Sequence, residues 1–424
     1  MKNFESSHRY WQSNQRKRLP LALRGVVLGI SLALLADIFI AQLSLGFSIF
    51  GFNLTSLGWL VPLFVSTRVL LNTSWSRISF PIQFWLPWIS WVVSYQIIAD
   101  EPNSLQRSIM LLTPIVIGMA VSTIQVDQYV VHKFKELLDK FLWLFLIAAG
   151  MATGLVTNGQ LSAVSNFAAG SITASLLATW YAVRFITFED RRDMFRWAML
   201  IAVPVLANSR TGILAVAITL PLTFTPWSVM RRLVAICVTA MFGLFLFQTE
   251  HIQSKMFYSG QGSILDAIDG ILGLLIGKES DTGDFENSGR SAVAEALRDG
   301  IPSHYWFGHG SNVSESVTLS FEGLTHPHND WLRLQFDYGT LGMALFALTL
   351  FVQSWHALFL TKLQLPVEFK LFLYVGASAF LPMVILMSTD NVILYAAWFG
   401  CLHFSFLGLG YAAVRNLSIP YYKL

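Results

Sequence analysis

His326 and His328, followed at once by Asn329 and Asp330, form the densest group of polar, proton-handling side chains in this sequence. They stand in THPHNDWLRLQFDYGTLG (Thr325 to Gly342), directly before one of its most apolar segments. A neutral imidazole takes up and returns a proton near physiological pH, which suits a general base. Pro327 biases His326 away from helical geometry. A helix is therefore expected to begin only after it, with Asn329 or Asp330 as N-cap. His328 then sits at the water boundary over the mouth of a helical bundle. The plain alternative is a polar helix tip that only marks a membrane interface.

Arginines supply the complementary chemistry. Arg210, in LIAVPVLANSRTGILAVAITL, is the only charge between Arg196 and Arg231. An arginine in such surroundings costs about 2.5–3.5 kcal/mol on insertion scales, so it faces a cavity or a partner, or snorkels from a hairpin tip. A guanidinium grips phosphate oxygens with a fixed fork of donors. Arg290, in ENSGRSAVAEALRDG, stands just ahead of a candidate helix start, where unpaired backbone N–H groups also favour anions. Taken alone it could equally be a solvated loop arginine. Asp390, in MSTDNVILY, is one acid in a tight turn, placed either to hold an arginine or to cap a helix.

The elements that must position these groups are membrane helices. Only 12% of the 424 residues are charged and 54% are hydrophobic, against about 25% charged in soluble domains. Apolar windows predict an all-α polytopic membrane protein of about twelve spans: roughly 25–43, 47–66, 79–99, 107–124, 141–157, 167–187, 195–208, 211–227, 232–248, 339–361, 371–388 and 392–414. The seventh and eighth are short enough to form a re-entrant pair. With a cytoplasmic N-terminus, Arg107, Arg210, Lys255, Lys278, Arg290, Arg298 and Arg333 fall outside, leaving 21 of the 28 basic residues on the cytoplasmic side. That asymmetry predicts both termini inside. The first residues are polar and basic, with no convincing cleavage site, and read as part of a signal-anchor. Cys237 and Cys401 lie in apolar runs and read as packing residues. No zinc-site pattern is present.

The expected organisation is a single membrane domain, 1–424. It has cytoplasmic tails at 1–24 and 415–424 and one large, partly helical outer loop at 249–328, between the ninth and tenth spans. SILDAIDGILGLLIG (Ser263–Gly277) is apolar enough to lie along the interface. SAVAEALRDG (Ser291–Gly300) reads as a short amphipathic helix stopped by glycine. Five of the nine histidines fall in this loop: His251, His304, His309, His326 and His328.

His328-Asn329, nine residues, then Gly339-Thr340-Leu341-Gly342 resembles the H-[NSQ]-x9-G-x-x-G signature of bacterial O-antigen ligases and the related O-antigen polymerases. Arg210 in NSRTG resembles the Ser-Arg element of that superfamily. Gly289–Asn312, GRSAVAEALRDGIPSHYWFGHGSN, resembles its outer-loop pattern of an arginine, a short helix and a Gly-x-Gly turn. The likeness runs from about Ala207 to Asn391; before that only hydropathy matches. Met343 follows the second glycine where the ligase signature usually has Gly, Thr or Tyr, so ligase and polymerase both stay open.

The resemblance implies a glycosyltransferase at the periplasmic face of the bacterial inner membrane, needing no metal, cofactor or nucleotide sugar. Its donor would be a glycan on undecaprenyl pyrophosphate and its acceptor lipid A–core or a lipid-linked repeat unit. Besides these the partners would be membrane lipids, with no nucleic acid. Arg210 and Arg290 would bind the pyrophosphate and stabilise its growing charge. His328 would deprotonate or orient the acceptor hydroxyl, which attacks with inversion. Asp390 would orient an arginine or the acceptor. Asn329, Asp330 and Arg333 are candidates for support, and His326 for binding. The rival from another class is a secondary transporter or flippase. Transporters place charges near the midplane in both halves, whereas here the charges gather on one outer face. A large outer loop also suits a lid.

Overall fold

A computed structural model describes residues 18–43, 48–49, 52–97, 101, 103–157, 168–269, 290–321 and 326–418. Within them the regular secondary structure is helical apart from one small hairpin, in which Ser48–Ile49 pairs antiparallel with Phe52–Asn53. The helices are α1 (Leu21–Leu43), α2 (Leu57–Leu71), α3 (Leu86–Tyr95), α4 (Ser104–Ser122), α5 (Gln128–Thr157), α6 (Ala168–Phe188), α7 (Arg191–Leu206) and α8 (Arg210–Ala217). There follow α9 (Val229–Phe247), α10 (Glu250–Met256), α11 (Arg290–Gly300), α12 (Val313–Leu319), α13 (Asp330–Leu360), α14 (Val367–Ser378), α15 (Phe380–Met387) and α16 (Gly400–Ser418).

Five stretches among the described residues are long and apolar enough to cross a membrane: Leu54–Leu71, α4, α9, α13 and Val367–Met387. The protein is thus a multi-pass membrane protein by length and composition. Helices α1, α5, α6 and α7 correspond to the expected spans 25–43, 141–157, 167–187 and 195–208 as continuous helices, and four other expected spans differ from a simple crossing for local reasons. The expected span 47–66 begins as the hairpin, and its helix runs on to Leu71. The expected span 79–99 is a 3-10 turn at Ile82–Phe84 and a ten-residue helix, with Pro81 and Pro87 withholding the N–H donors a longer helix needs. The expected span 211–227 is helical only to Ala217. The expected span 392–414 starts in successive turns and becomes α-helical at Gly400.

Close helix approach depends on small side chains, which let backbones meet where lipid offers no hydrophobic drive. Gly25 and Gly29 are one turn apart on α1 and abut Val65 and Pro62 of α2. Some buried polar groups find partners within the bundle, as a waterless surrounding favours. The indole of Trp85 donates to Gln353 Oε1 at 3.0 Å, and Gln353 in turn donates to the Tyr411 hydroxyl. His356 Nδ1 lies 3.1 Å from that hydroxyl.

Polar clusters gather at two ends. At one end Arg184 and Arg196 share Asp139 and Asp193 at 2.9–3.3 Å, tying α5, α6 and α7 together. Arg415 there donates to the carbonyls of Ser122 (2.8 Å), Thr123 (3.2 Å) and Ile124 (2.8 Å). It satisfies the orphan acceptors that end α4. The other end carries the candidate site.

Candidate functional site

The long helix α13 is built around a break. Gly339 has φ +72° and ψ 173° inside it, so the nine residues from Asp330 to Tyr338 form a separate outer piece and 340–360 continue as the long apolar helix. A break strands two carbonyls above and two N–H groups below. The turn Tyr305–Gly310 fills the gap with backbone alone. His309 and Gly310 N–H donate to the carbonyls of Phe336 and Asp337 at 2.8 and 2.9 Å. Thr340 and Leu341 N–H donate to those of Tyr305 and Trp306 at 2.9 and 3.3 Å. The two segments touch where a side chain cannot fit: a Cβ on Gly339 would stand 2.2 Å from the Trp306 oxygen, and one on Gly308 2.4 Å from the Gly339 nitrogen. The paired glycines of the two motifs are therefore parts of one splice, and their job is architectural.

The outer piece of α13 is held from three sides. Val293, Ala294, Leu297 and Ile301 of α11 and the following turn pack on Leu332 and Phe336. Asp337, 1% exposed, accepts from Ser314 N–H (2.8 Å) and Ser314 Oγ (3.0 Å), so a carboxylate of α13 caps the start of α12. Asp330 is fully buried and accepts from the Ile393 N–H at 2.8 Å, pinning the turn after Asp390 to the first residue of α13. Arg333 is turned inward between these two acids, its side chain 7% exposed and its Nε 3.7 Å from Asp337. Its position balances buried charge and offers little surface to a ligand.

His328 sits at the head of this piece. Asn329 is the N-cap, its side chain accepting from the Leu332 N–H at 2.9 Å, as one of the two expected candidates. His328 itself takes φ +51°, a left-handed conformation that costs a non-glycine residue on the order of 1–3 kcal/mol and persists only where neighbours enforce it. Those neighbours are Pro327, the Asn329 cap and the turn before α16. His328 Nδ1 lies 3.3 Å from Asn391 Nδ2 and 3.8 Å from Asp390 Oδ1. Asn391 is fully buried and Asp390 accepts the Asn391 N–H at 2.8 Å, so the turn is rigid where it meets the imidazole. Nε2 can accept a proton in the tautomer that places the ring hydrogen on Nδ1, toward Asp390.

Arg210 opens α8, after Asn208 in the left-handed region and Ser209, whose hydroxyl accepts the Gly212 N–H. The Thr389 hydroxyl donates to that of Thr211 at 2.6 Å, so the start of α8 is fastened to the turn that holds His328. The Thr211–Thr389 contact thus brings the helix start at Arg210 to the Asp390–Asn391 turn that meets His328, although the three residues are more than 60 positions apart in sequence. Arg290 is the first residue of α11; its side chain lies outside the described part of the structure, as does most of Ser263–Gly277.

Sequence reasoning missed the contribution of α4. Arg107 grips Glu315 of α12 with two donors, Nη2 at 2.6 Å and Nε at 3.1 Å, and His326 Nδ1 stands 3.0 Å from the same carboxylate. Burial would raise the Glu315 acid, but His326 and Arg107 outweigh it and hold it at about 2. Burial lowers His326 against the pull of Glu315. His326 therefore anchors the strand leading into His328. The signal was available in DEPNSLQR, the one charged short loop on that side. Nothing local marked Asn391 or the Thr211–Thr389 pair.

The fold defines a helical, multi-pass membrane protein in which the start of α8, the Asp390–Asn391 turn and His328 meet at one end of the bundle. Residues 197–347 match the family model described as O-Antigen ligase. The match takes in Arg210, Arg290, the splice and the histidine motif, and supports the O-antigen ligase superfamily and glycosyl transfer of ligase or polymerase type, with lipid-linked sugars as substrates. No curated protein matches the chain significantly.

Proposed function

We propose that this protein is an O-antigen ligase-like glycosyltransferase. It moves a glycan from undecaprenyl pyrophosphate to a sugar hydroxyl of lipid A–core on the periplasmic face of the bacterial inner membrane. The observation that carries this reading is the Thr211–Thr389 contact, which fastens the helix start at Arg210 to the Asp390–Asn391 turn that meets His328 and so links the matched region to a turn that follows it. The acceptor O–H attacks the anomeric carbon as the bond from that carbon to the pyrophosphate oxygen breaks, with inversion. The proton passes to His328, and the leaving group departs as undecaprenyl pyrophosphate. Arg210, at a helix start, and Arg290, at another, neutralise the charge that builds on it; such a contact is worth about 3–4 kcal/mol if made only in the transition state. Asp390 holds the turn against the imidazole.

The polymerase reading uses the same groups and differs in acceptor, a second lipid-linked repeat unit; Met343 favours keeping it. Purified protein with an undecaprenyl-pyrophosphate glycan, EDTA and both acceptors separates them. Transfer to lipid A–core that is lost in His328→Ala supports the ligase, and ladders on the lipid-linked unit the polymerase. No transfer to either, or a mutant equal to wild type, refutes the assignment and brings the transporter forward.

A further inference from the structure

Glycosyl transfer leaves one cleft of the molecule unused. It encloses about 450 Å³ between the last turn of α6, the first turn of α7 and the entry to α9. From Ser171, against which Gly212 packs, to Phe188 is seventeen residues of α6, or about 25 Å. The cleft is therefore at the opposite end from His328. Its walls are apolar: Phe185, Ile186, Met194 and Trp227. Its rim is charged: Arg191, Arg231 and Glu189. Arg231 meets Glu189 at 2.9 Å, but both side chains are more than half exposed (61% and 71%), so this pair is weak and exchangeable. Arg232 is committed elsewhere, to the carbonyls of Pro221, Thr223 and Thr225. Above the cleft, α9 contains no buried residue. Val234, Val238, Met241 and Phe245 stand exposed on it, an apolar surface continuous with the apolar walls below.

We propose that this cleft binds an anionic phospholipid, with its phosphate between Arg191 and Arg231 and an acyl chain along Met194, Trp227 and α9. The two guanidinium groups supply forked donors that fit phosphate oxygens. Trp227 lies where an indole favours the headgroup boundary. The apolar walls and the bare helix give an acyl chain a place that a water-soluble anion would not need. The clustering of Arg191, Arg192, Arg231 and Arg232 favours negative headgroups at that surface. Glu189 is the one rim group that opposes the ligand.

Native mass spectrometry of the full-length protein, titrated with phosphatidylglycerol or phosphatidylethanolamine, tests this without reference to catalysis. Wild type should prefer phosphatidylglycerol several-fold. Each of Arg191→Gln and Arg231→Gln should weaken its binding roughly five-fold, while the double Lys variant, which keeps the charge, should retain the preference. Glu189→Gln should bind more tightly than wild type. Equal retention of the two lipids by wild type overturns the proposal. So does inorganic phosphate displacing phosphatidylglycerol at equal concentration, which would make this a phosphate site, or Glu189→Gln binding more weakly. None of these outcomes bears on His328.

Discussion

Gly339→Ala tests whether the histidine motif is held by the splice beneath it. Gly339 occupies φ +72°, ψ 173°, a region essentially restricted to glycine and costing on the order of 1–3 kcal/mol otherwise. The new Cβ would lie 2.2 Å from the Trp306 oxygen, 2.4 Å from its carbonyl carbon and 2.5 Å from the Phe307 nitrogen. All three are backbone atoms and cannot rotate away. Relief therefore requires the Tyr305–Gly310 turn to leave, which puts four hydrogen bonds at risk, each worth about 0.5–1.5 kcal/mol net. Strain and opening are alternatives and do not add in full, so the expected cost is about 3–5 kcal/mol. Thermal denaturation in detergent should show a clear drop, with faster proteolysis within 305–310 and loss of glycan transfer. Gly243→Ala is the control: nothing lies within 4 Å of its Cβ, and alanine in a helix is favoured by up to about 1 kcal/mol. A Gly339→Ala protein with wild-type melting and an intact turn would refute the splice as a structural element.

Further expectations are these. His328→Ala should abolish transfer while the protein still accumulates in the membrane and melts near wild type, as measured by transfer assay and fractionation; Arg210→Lys should restore little of what Arg210→Ala loses, because the fork of donors is gone. Asn391→Ala should lower kcat more than KM, since it removes the contact at 3.3 Å from His328 Nδ1; an unchanged kcat would remove Asn391 from the site. Glu315→Gln should cost about 1–3 kcal/mol, between exposed and buried pairs, read by melting temperature. The pH dependence follows in sign. His326 and Glu315 are both lower in the fold than free, so the unfolded chain binds more protons. The stability they contribute is complete above about pH 6.5 and falls on acidification. His326 acts first, then Glu315 between its ordinary 4.5 and about 2; Glu315→Gln should flatten the lower part of that profile.

What was legible in the sequence was whatever depends on neighbours along the chain. Hydropathy located most of the long helices, and Pro327 followed by Asn329 placed the start of α13. The stop at Gly300 was also legible, although the chain winds on through a 3-10 turn to His304. The positions of Arg210 and Asp390 at element ends could be read because one opens an apolar run and the other interrupts one. What was illegible depends on long-range pairing. That Asp330 would turn inward to hold the Ile393 N–H, 63 residues away, leaves no mark near Asp330. The inward turn of Arg333 follows from two acids one turn away on either side, and an arginine at that spacing could as easily have faced solvent. Span lengths failed at 79–99 and 392–414 because apolar composition reports what the chain can bury, whereas helix continuity depends on where prolines and tertiary hydrogen bonds interrupt it.

The spacing within the signature now has a physical meaning. His328 is fixed by the Asp390–Asn391 turn, Gly339 by the Tyr305–Gly310 turn, and the nine residues between form a helical strut about 13 Å long. Both ends are anchored to different parts of the chain, so the strut's length and phase are set together. One alanine inserted after Leu334 would advance the upper part by about 1.5 Å and rotate it by about 100°. If the splice holds, His328 leaves Asn391 and transfer is lost although the fold survives. If the His328 turn holds instead, Gly339 leaves the Trp306 carbonyl and the protein melts earlier, as in Gly339→Ala. Circular dichroism and transfer measured on the same preparation distinguish the two. An insertion that left both stability and transfer at wild-type levels would mean that the nine-residue spacing is not set by these anchors.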